Sequence, residues 1–398
     1  MCENLAMKSD KIVVFGAGKI GRSFIGQIFY RIGYEVVFVD INEDLIDLIN
    51  QKREYRVIIK DGDKSETLNI RNVRGVSLKD VKGVVTELLD TRIVSLSVGQ
   101  HGLKSAVPII AEALLTRREI RVDTPLDIII AENMRDADRF LSDQLKTYLP
   151  DDYPFDSLVG LVETSIGKMV PIMTQKDIDE DPLQVFAEPF NTLIVAKNGF
   201  RNKVPDSPFI AAKENIKAWV DKKLFIHNMG HATVAYLGFK KHPDARYLYE
   251  VLNDAQLLDE VKKTMMQSAE ILQSLYPNEF TIHQLEEHVD DLIYRFRNIS
   301  LGDTIFRVGC DLYRKLGPED RIVAPIRAAI KMGKPFDLIL KTLYAGMSFK
   351  AKDEKGNHFP DDILFFEEVK KGQTHILSSV CKLPDLNGKD IIVNIFTA

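Results

Sequence analysis

The stretch "KIVVFGAGKIGRSFIGQIFYRIGYEVVFVD", residues 11–40, constrains this chain more than any other. It opens with an apolar, β-branched run that reads as a buried strand. A glycine turn follows, with Gly16, Gly18 and Gly21 in a G-x-G-x-x-G spacing. The next residues place Ile20, Phe24, Ile28 and Ile32 four apart, a helical stripe that stops at Gly33. A second apolar strand, "YEVVFVD", ends in Asp40. Two buried strands joined through a helix are a parallel, right-handed crossover.

The interval from Gly16 to Asp40 is 40 − 16 = 24 residues, close to the ~20 expected of a dinucleotide-binding unit. Each glycine has a reason. Gly16 permits the tight turn, Gly18 lets a pyrophosphate approach the backbone, and Gly21 lets helix and strand pack. The helix N-terminus offers unpaired N–H groups to phosphate. The expected cofactor contacts are therefore Gly16, Ala17, Gly18, Lys19, Ile20 and Gly21, then Asp40, Ile41 and Asn42. Asp40 can accept from both ribose hydroxyls, and its charge repels a 2′-phosphate. No arginine follows it, so the expected cofactor is NAD rather than NADP. The competing reading is a glycine turn with no ligand, but strand, turn, helix and acid all stand in order.

Further strands are read at "TRIVSLSVG" and "LDIIIAEN". Val98 and Gly99 end the first of these, where a parallel sheet places ligand loops. They either line the nicotinamide end or form an ordinary turn. At 398 residues the chain suits two domains. The polar segment "KNGFRNKVPDSPF", residues 197–209, reads as a linker. The boundaries read are 1–200 for an α/β dinucleotide-binding domain and 201–398 for a mainly helical one. Amphipathic patterns over 248–275 and 283–296 support the helical half, and "DIIVNIF" near the end reads as a strand.

Composition removes several classes. Lys+Arg is 53 and Asp+Glu is 58, a formal charge of −5, so no basic face marks a nucleic-acid partner. No apolar run reaches the ~20 residues of a membrane span. The first ten residues are polar, and Cys2, Cys310 and Cys381 are scattered. A reducing cytoplasm is the expected compartment. Nothing in the sequence sets the oligomeric state, and nothing requires more than a monomer.

"KLFIHNMGHATVAYLG", residues 223–238, carries Lys223, His227, Asn228 and His231. On an α-helix Lys223, Asn228 and His231 lie within about 140° of one another, with His227 between Lys223 and His231. Hydride transfer from an alcohol carbon needs a base and donors for the developing carbonyl oxygen. Lys223 can be the base if burial or a nearby cation lowers its pKa. Asn133, at the end of "LDIIIAEN", and Asn228 can supply two amide donors. The plain reading of Lys223 is a solvated lysine. His227 and His231 have the spacing of paired zinc ligands, but Asn228 stands where the glutamate of H-E-x-x-H would be, and no third ligand is evident. No metal is expected.

Lys223, Asn228 and His231 match the K-x4-N-x2-H signature, and the chain resembles the polyol-specific long-chain dehydrogenases, the mannitol dehydrogenase family. "VFGAGKIGRSFIG", "VDIN", "SVG", "PLDIIIAENM", "RFRN" and "RKLGPEDRIVAPI" extend the resemblance over nearly the whole chain. The wording N-M-G-H, rather than N-G-S-H, is similar to the phosphate-using branch. The resemblance implies a Rossmann-type N-terminal domain, a mainly α-helical C-terminal domain, a site in the cleft between them, and metal-free chemistry. It implies NAD-dependent interconversion of mannitol 1-phosphate and fructose 6-phosphate. Lys223 would be the general acid/base, Asn133 and Asn228 the oxyanion pair, and His231 the residue orienting a substrate hydroxyl.

Two departures stand out. "ETSIGKMVPI" puts Gly167 and Lys168 where the family often has Asp-Arg, and "RFRNISLGD" lacks a proline after its asparagine. Candidate phosphate ligands are Lys168, Arg307, Arg314, Lys315 and Arg321, with Arg314-Lys315 favoured because it lies in a matching segment. Three rivals remain open at this point. They are a family member acting on a free polyol or hexuronate, an NAD-binding protein with degraded catalysis, and a zinc-dependent alcohol dehydrogenase.

Overall fold

Alternation of buried β-branched residues builds the first half of the chain. In the computed structural model, which describes residues 10–132 and 134–383, the strands of this half are β1 (Lys11–Phe15), β2 (Glu35–Asp40), β3 (Glu54–Asp61), β4 (Lys64–Arg71), β5 (Val73–Ser77), β6 (Ile93–Leu96), β7 (Leu126–Ile130), β8 (Val159–Ser165), β9 (Val185–Ala187), β10 (Leu193–Ala196) and β11 (Ile210–Lys213). Eight of them form one sheet in the order β11-β10-β8-β7-β6-β1-β2-β5. The block β5-β2-β1-β6-β7-β8 is parallel throughout, the doubly wound order with its switch point between β1 and β6.

Neighbouring side chains of each strand enter opposite cores. Ile12 and Val14 of β1 join Val36 and Phe38 of β2 on one face. Val13 and Phe15 join Val37, Val39 and Ile128 on the other. Both faces are dry, which is why these strands read as continuous apolar runs.

The sheet is longer than the sequence reading allowed. β10 pairs antiparallel with β8, and β11 pairs parallel with β10. A second sheet, β4-β3-β9, stands apart, its β3–β4 hairpin turning at Gly62 with positive φ. The segment 197–209 is no free linker. Buried Asp127 accepts from Arg201 N (2.8 Å), Asn202 N (3.1 Å) and Asn202 Nδ2 (2.9 Å). β11 then continues the sheet, and the chain divides into compact units at Met1–Trp219 and Val220–Ala398.

The second unit is helical among the described residues. Its main helices are Met229–Lys241, Ala255–Leu275, Ile282–Phe296, Val323–Met332, Asp337–Met347 and Pro360–Val369. The expected strand at "DIIVNIF", residues 390–396, lies outside the described residues. Gly230 sits so close to Met265 that a Cβ there would collide with it, so the first two of these helices approach tightly. No described helix is long and apolar enough to cross a membrane.

Asp127→Ala leaves three donors near the sheet without their acceptor. The expected loss is about 3 kcal/mol, read as a lowered melting temperature. An unchanged melting temperature would contradict this clamp.

Candidate active site

In the first unit the glycine turn is fixed from several sides. Gly16 has φ +95°, and a Cβ there would strike the Ser97 carbonyl. A Cβ at Gly21 would strike the Gly16 carbonyl, whereas Gly18 has nothing within 4 Å. The middle glycine therefore faces open space, and a helix over residues 19–31 starts beside it. Its first-turn N–H groups have no intrahelical acceptor. These features fit a dinucleotide pyrophosphate.

Asp40 is locked in place. Its Oδ2 accepts from Ala17 N (2.7 Å) and its Oδ1 from Asn42 N (2.9 Å). Each oxygen keeps a lone pair for a hydroxyl donor. Asn42 caps the helix Glu43–Lys52 through Leu45 N, and Ile41 beside it is exposed. Arg22, which the sequence reading passed over, is buried and supports the turn from below. Its Nε donates to Ala17 O (2.6 Å) and its Nη1 to Leu183 O (2.6 Å). Those bonds engage this guanidinium within the fold.

Val98 and Gly99 meet a second overlooked residue. Glu132 Oε1 accepts from Val98 N (2.7 Å) and Gly99 N (2.8 Å) at the start of the helix Gly99–Glu119. Burial pushes this carboxyl up, against the pull of the two N–H groups. Glu132, just beyond β7, is thereby tied to the strand end "SVG". Asn133 lies outside the described residues.

In the second unit, residues 223–238 form one continuous helical element, but not the expected uniform α-helix. Lys223–Asn228 is a π-turn, followed by the α-helix Met229–Lys241. Bonding from i to i+5 widens the turn and lowers the rotation per residue. Asn228, five beyond Lys223, comes back over it, and His231, three further on, stays on that side. The arc expected for an α-helix narrows. The Phe225 carbonyl within the π-turn accepts Ser268 Oγ at 2.7 Å.

The chemistry of this face is set by charge and burial. The Lys223 amine is pushed down to about 8 by desolvation, and the Arg321 guanidinium adds repulsion. Asn228's side-chain amide makes no hydrogen bond among the described residues. His231 stacks on Phe296 at 4.8 Å and 10°, and its Nε2 lies 2.9 Å from Asp303 Oδ2. Burial lowers its pKa well below the ordinary value, helped by Arg307, Arg321, Lys315 and Arg295. His227 is buried beside Phe296, its ring centroid 6.2 Å from that of His231.

The basic candidates separate clearly. Arg307 pairs with Asp303, the same carboxylate that holds His231. Lys315 is buried, donates to Val308 O (2.8 Å), and is pushed down to about 8 by burial and Arg321. Arg321 is buried with its Nε on Asp320 Oδ1 (2.7 Å). Its terminal nitrogens make no hydrogen bond among the described residues. Arg314, half of the favoured pair, is instead held by Asp311 and Asp320. Lys168 belongs to the first unit's interior: its Nζ donates to Glu188 O (2.7 Å), Phe190 O (2.6 Å) and Asn191 Oδ1 (3.5 Å). These bonds engage its three protons, which argues against a phosphate ligand.

A nucleotide turn followed by a helical unit with a desolvated lysine defines an NAD(P)-type dehydrogenase architecture. Sequence comparison gives the family. The mannitol dehydrogenase Rossmann domain matches residues 10–208 and the mannitol dehydrogenase C-terminal domain residues 215–383. The chain belongs to the mannitol dehydrogenase family. Curated relatives include a mannitol-1-phosphate 5-dehydrogenase of Geobacillus stearothermophilus, 36% identical over 79% of this chain and 80% of that one. Another, from Streptococcus mutans, is 31% identical over 87% of this chain and 89% of its own. A third, from Buchnera aphidicola, is 28% identical over 96% of both. Among solved structures, Pseudomonas fluorescens mannitol 2-dehydrogenase, in ternary complex with NAD and D-mannitol, shares the fold. Its TM-score is 0.71 at 17% identity, over 98% of this chain and 94% of that one.

Asp40→Ala removes the ribose acceptor and the charge that opposes a 2′-phosphate. The expected result is NADH binding weakened about tenfold or more, with NADPH use improved. Unchanged NADH affinity would contradict the placement of Asp40.

Proposed function

We propose that this protein is an NAD-dependent oxidoreductase interconverting mannitol 1-phosphate and fructose 6-phosphate. The observation that carries this reading is the desolvated Lys223 amine on one face with Asn228 and His231, beside the cations Arg307, Lys315 and Arg321. The named relatives support the substrate, being mannitol-1-phosphate 5-dehydrogenases along most of their length.

Bound NAD⁺ supplies the hydride acceptor, held by residues 16–21 and by Asp40, with Ile41, Asn42, Val98 and Gly99 completing its contacts. In oxidation the neutral Lys223 amine takes the hydroxyl proton. Asn133 and Asn228 donate to the oxygen as it becomes a carbonyl. In reduction the Lys223 ammonium returns the proton. His231 orients a neighbouring hydroxyl. Arg307 and Lys315 bind the phosphate, and Arg321 joins them with its unengaged fork of donors. Arg314 and Lys168 drop out of the phosphate set, because two aspartates hold the first and three oxygen acceptors the second, whereas Arg307 and Lys315 each meet one acceptor among the described residues. The protein works in the cytoplasm, a compartment that suits its unpaired Cys310 and Cys381.

The test is NADH oxidation with fructose 6-phosphate beside fructose, tagaturonate and fructuronate, in chelator-containing buffer. Turnover with fructose 6-phosphate alone is expected. Turnover only with an unphosphorylated ketose or a uronate would overturn the phosphate assignment. Lys223→Ala is expected to bind NADH normally and lose turnover by at least about 100-fold. A retained rate would overturn its role.

A further inference from the structure

His231 is held neutral by burial and by the surrounding cations. A neutral imidazole carries one N–H, so one ring nitrogen donates and the other accepts. Its Nε2 lies 2.9 Å from Asp303 Oδ2, and a carboxylate can only accept. The proton must therefore sit on Nε2. Nδ1 is left as an acceptor and makes no hydrogen bond among the described residues.

Asp303 is built to be a fixed reference. Its side chain is 6% exposed, and the Arg307 guanidinium sits on its other oxygen. Its backbone is clamped on both sides. Leu248 N donates to Asp303 O (3.0 Å), and Ile305 N donates to Arg246 O (2.8 Å). Thr304 bridges to Tyr247 and caps the next turn through Arg307 N. Gly302 enters this clamp in the left-handed region, with φ +64°. The ring is thus restrained on its face by Phe296 and at its edge by Asp303.

We infer that Asp303 is the positioning residue of His231: it fixes the Nε2–H tautomer, so that His231 accepts a hydrogen bond from a substrate hydroxyl and cannot donate to the carbonyl. This rests on the reading of His231 as the hydroxyl-orienting residue. It also divides the labour. Polarising the reacting carbonyl falls to the asparagine amides and the Lys223 ammonium, while His231 recognises a hydroxyl as donor. Through its second oxygen Asp303 holds Arg307 as well, so hydroxyl recognition and one phosphate-site cation share a single anchor.

Asp303→Asn is isosteric, but its amide N–H₂ can donate to Nε2 and reverse the tautomer. Expected is a fall of about 10- to 100-fold in kcat/KM for fructose 6-phosphate, with NADH affinity unchanged. His231→Ala should lose a comparable amount. The double variant should be no worse than the poorer single one, because the two residues act as a unit. Nitrogen-15 NMR of the unmodified enzyme, with the His231 signal identified by its loss in His231→Gln, should report the Nε2–H form. An Nδ1–H form, a multiplicative double loss, or an Asp303→Asn enzyme of parental activity would each overturn the proposal. Full activity in His231→Ala would overturn the reading of His231 itself, and this inference with it.

Discussion

Removing an amine from water disfavours its charged form, and the polar helix face of the second unit is arranged around that one fact. Lys223 sits at the start of a π-turn with Arg321 close by, and desolvation and repulsion act in the same direction. Near pH 8 such an amine exists in both forms, which acid/base work in two directions requires. Local anions do not cancel the effect. Asp320 is shared between Arg314 and Arg321, and Asp303 between His231 and Arg307. The remaining positive field suits a phosphorylated substrate.

Three carboxylates perform related tasks. Asp40 accepts from Ala17 N and Asn42 N, Glu132 from Val98 N and Gly99 N, and Asp303 from His231 and Arg307. An acceptor-only group at a fixed place dictates where neighbouring donors point. The nucleotide turn, the strand-end loop and the imidazole are each oriented this way.

Much of the fold and part of the site were legible in the sequence. The G-x-G-x-x-G was readable because each glycine answers a local steric need, and the structure shows backbone carbonyls where a Cβ at Gly16 or Gly21 would fall. That Lys223, Asn228 and His231 share one side of a helix was readable from their spacing. The π-turn that narrows their arc was not, since its Phe225 carbonyl is satisfied by Ser268, forty-three residues away. Glu132 and the Asp303–His231 pair were missed for the same reason: the partners are distant in sequence. Charge type also says nothing of burial. Arg314 and Arg321 look alike in sequence, yet one lies between two aspartates and the other, near Lys223, has terminal nitrogens with no hydrogen bond among the described residues. The β3–β4 hairpin, which turns on Gly62-Asp63, went unread despite its Gly-Asp turn signal, and segment 197–209 looked like a linker only because Asp127, its clamp, lies far upstream.

The most direct test of the account is the pH dependence of kcat/KM in both directions, which reports groups of the free enzyme. If Lys223 is the acid/base, oxidation of mannitol 1-phosphate needs the neutral amine and rises through about pH 8. Reduction of fructose 6-phosphate needs the ammonium and falls through the same pH. Arg321→Gln, by removing the repelling charge, should move both midpoints upward together. Profiles that are flat between about pH 6 and 10, or midpoints indifferent to Arg321 in an enzyme that still binds both substrates, would contradict the claim that a desolvated Lys223 carries the proton.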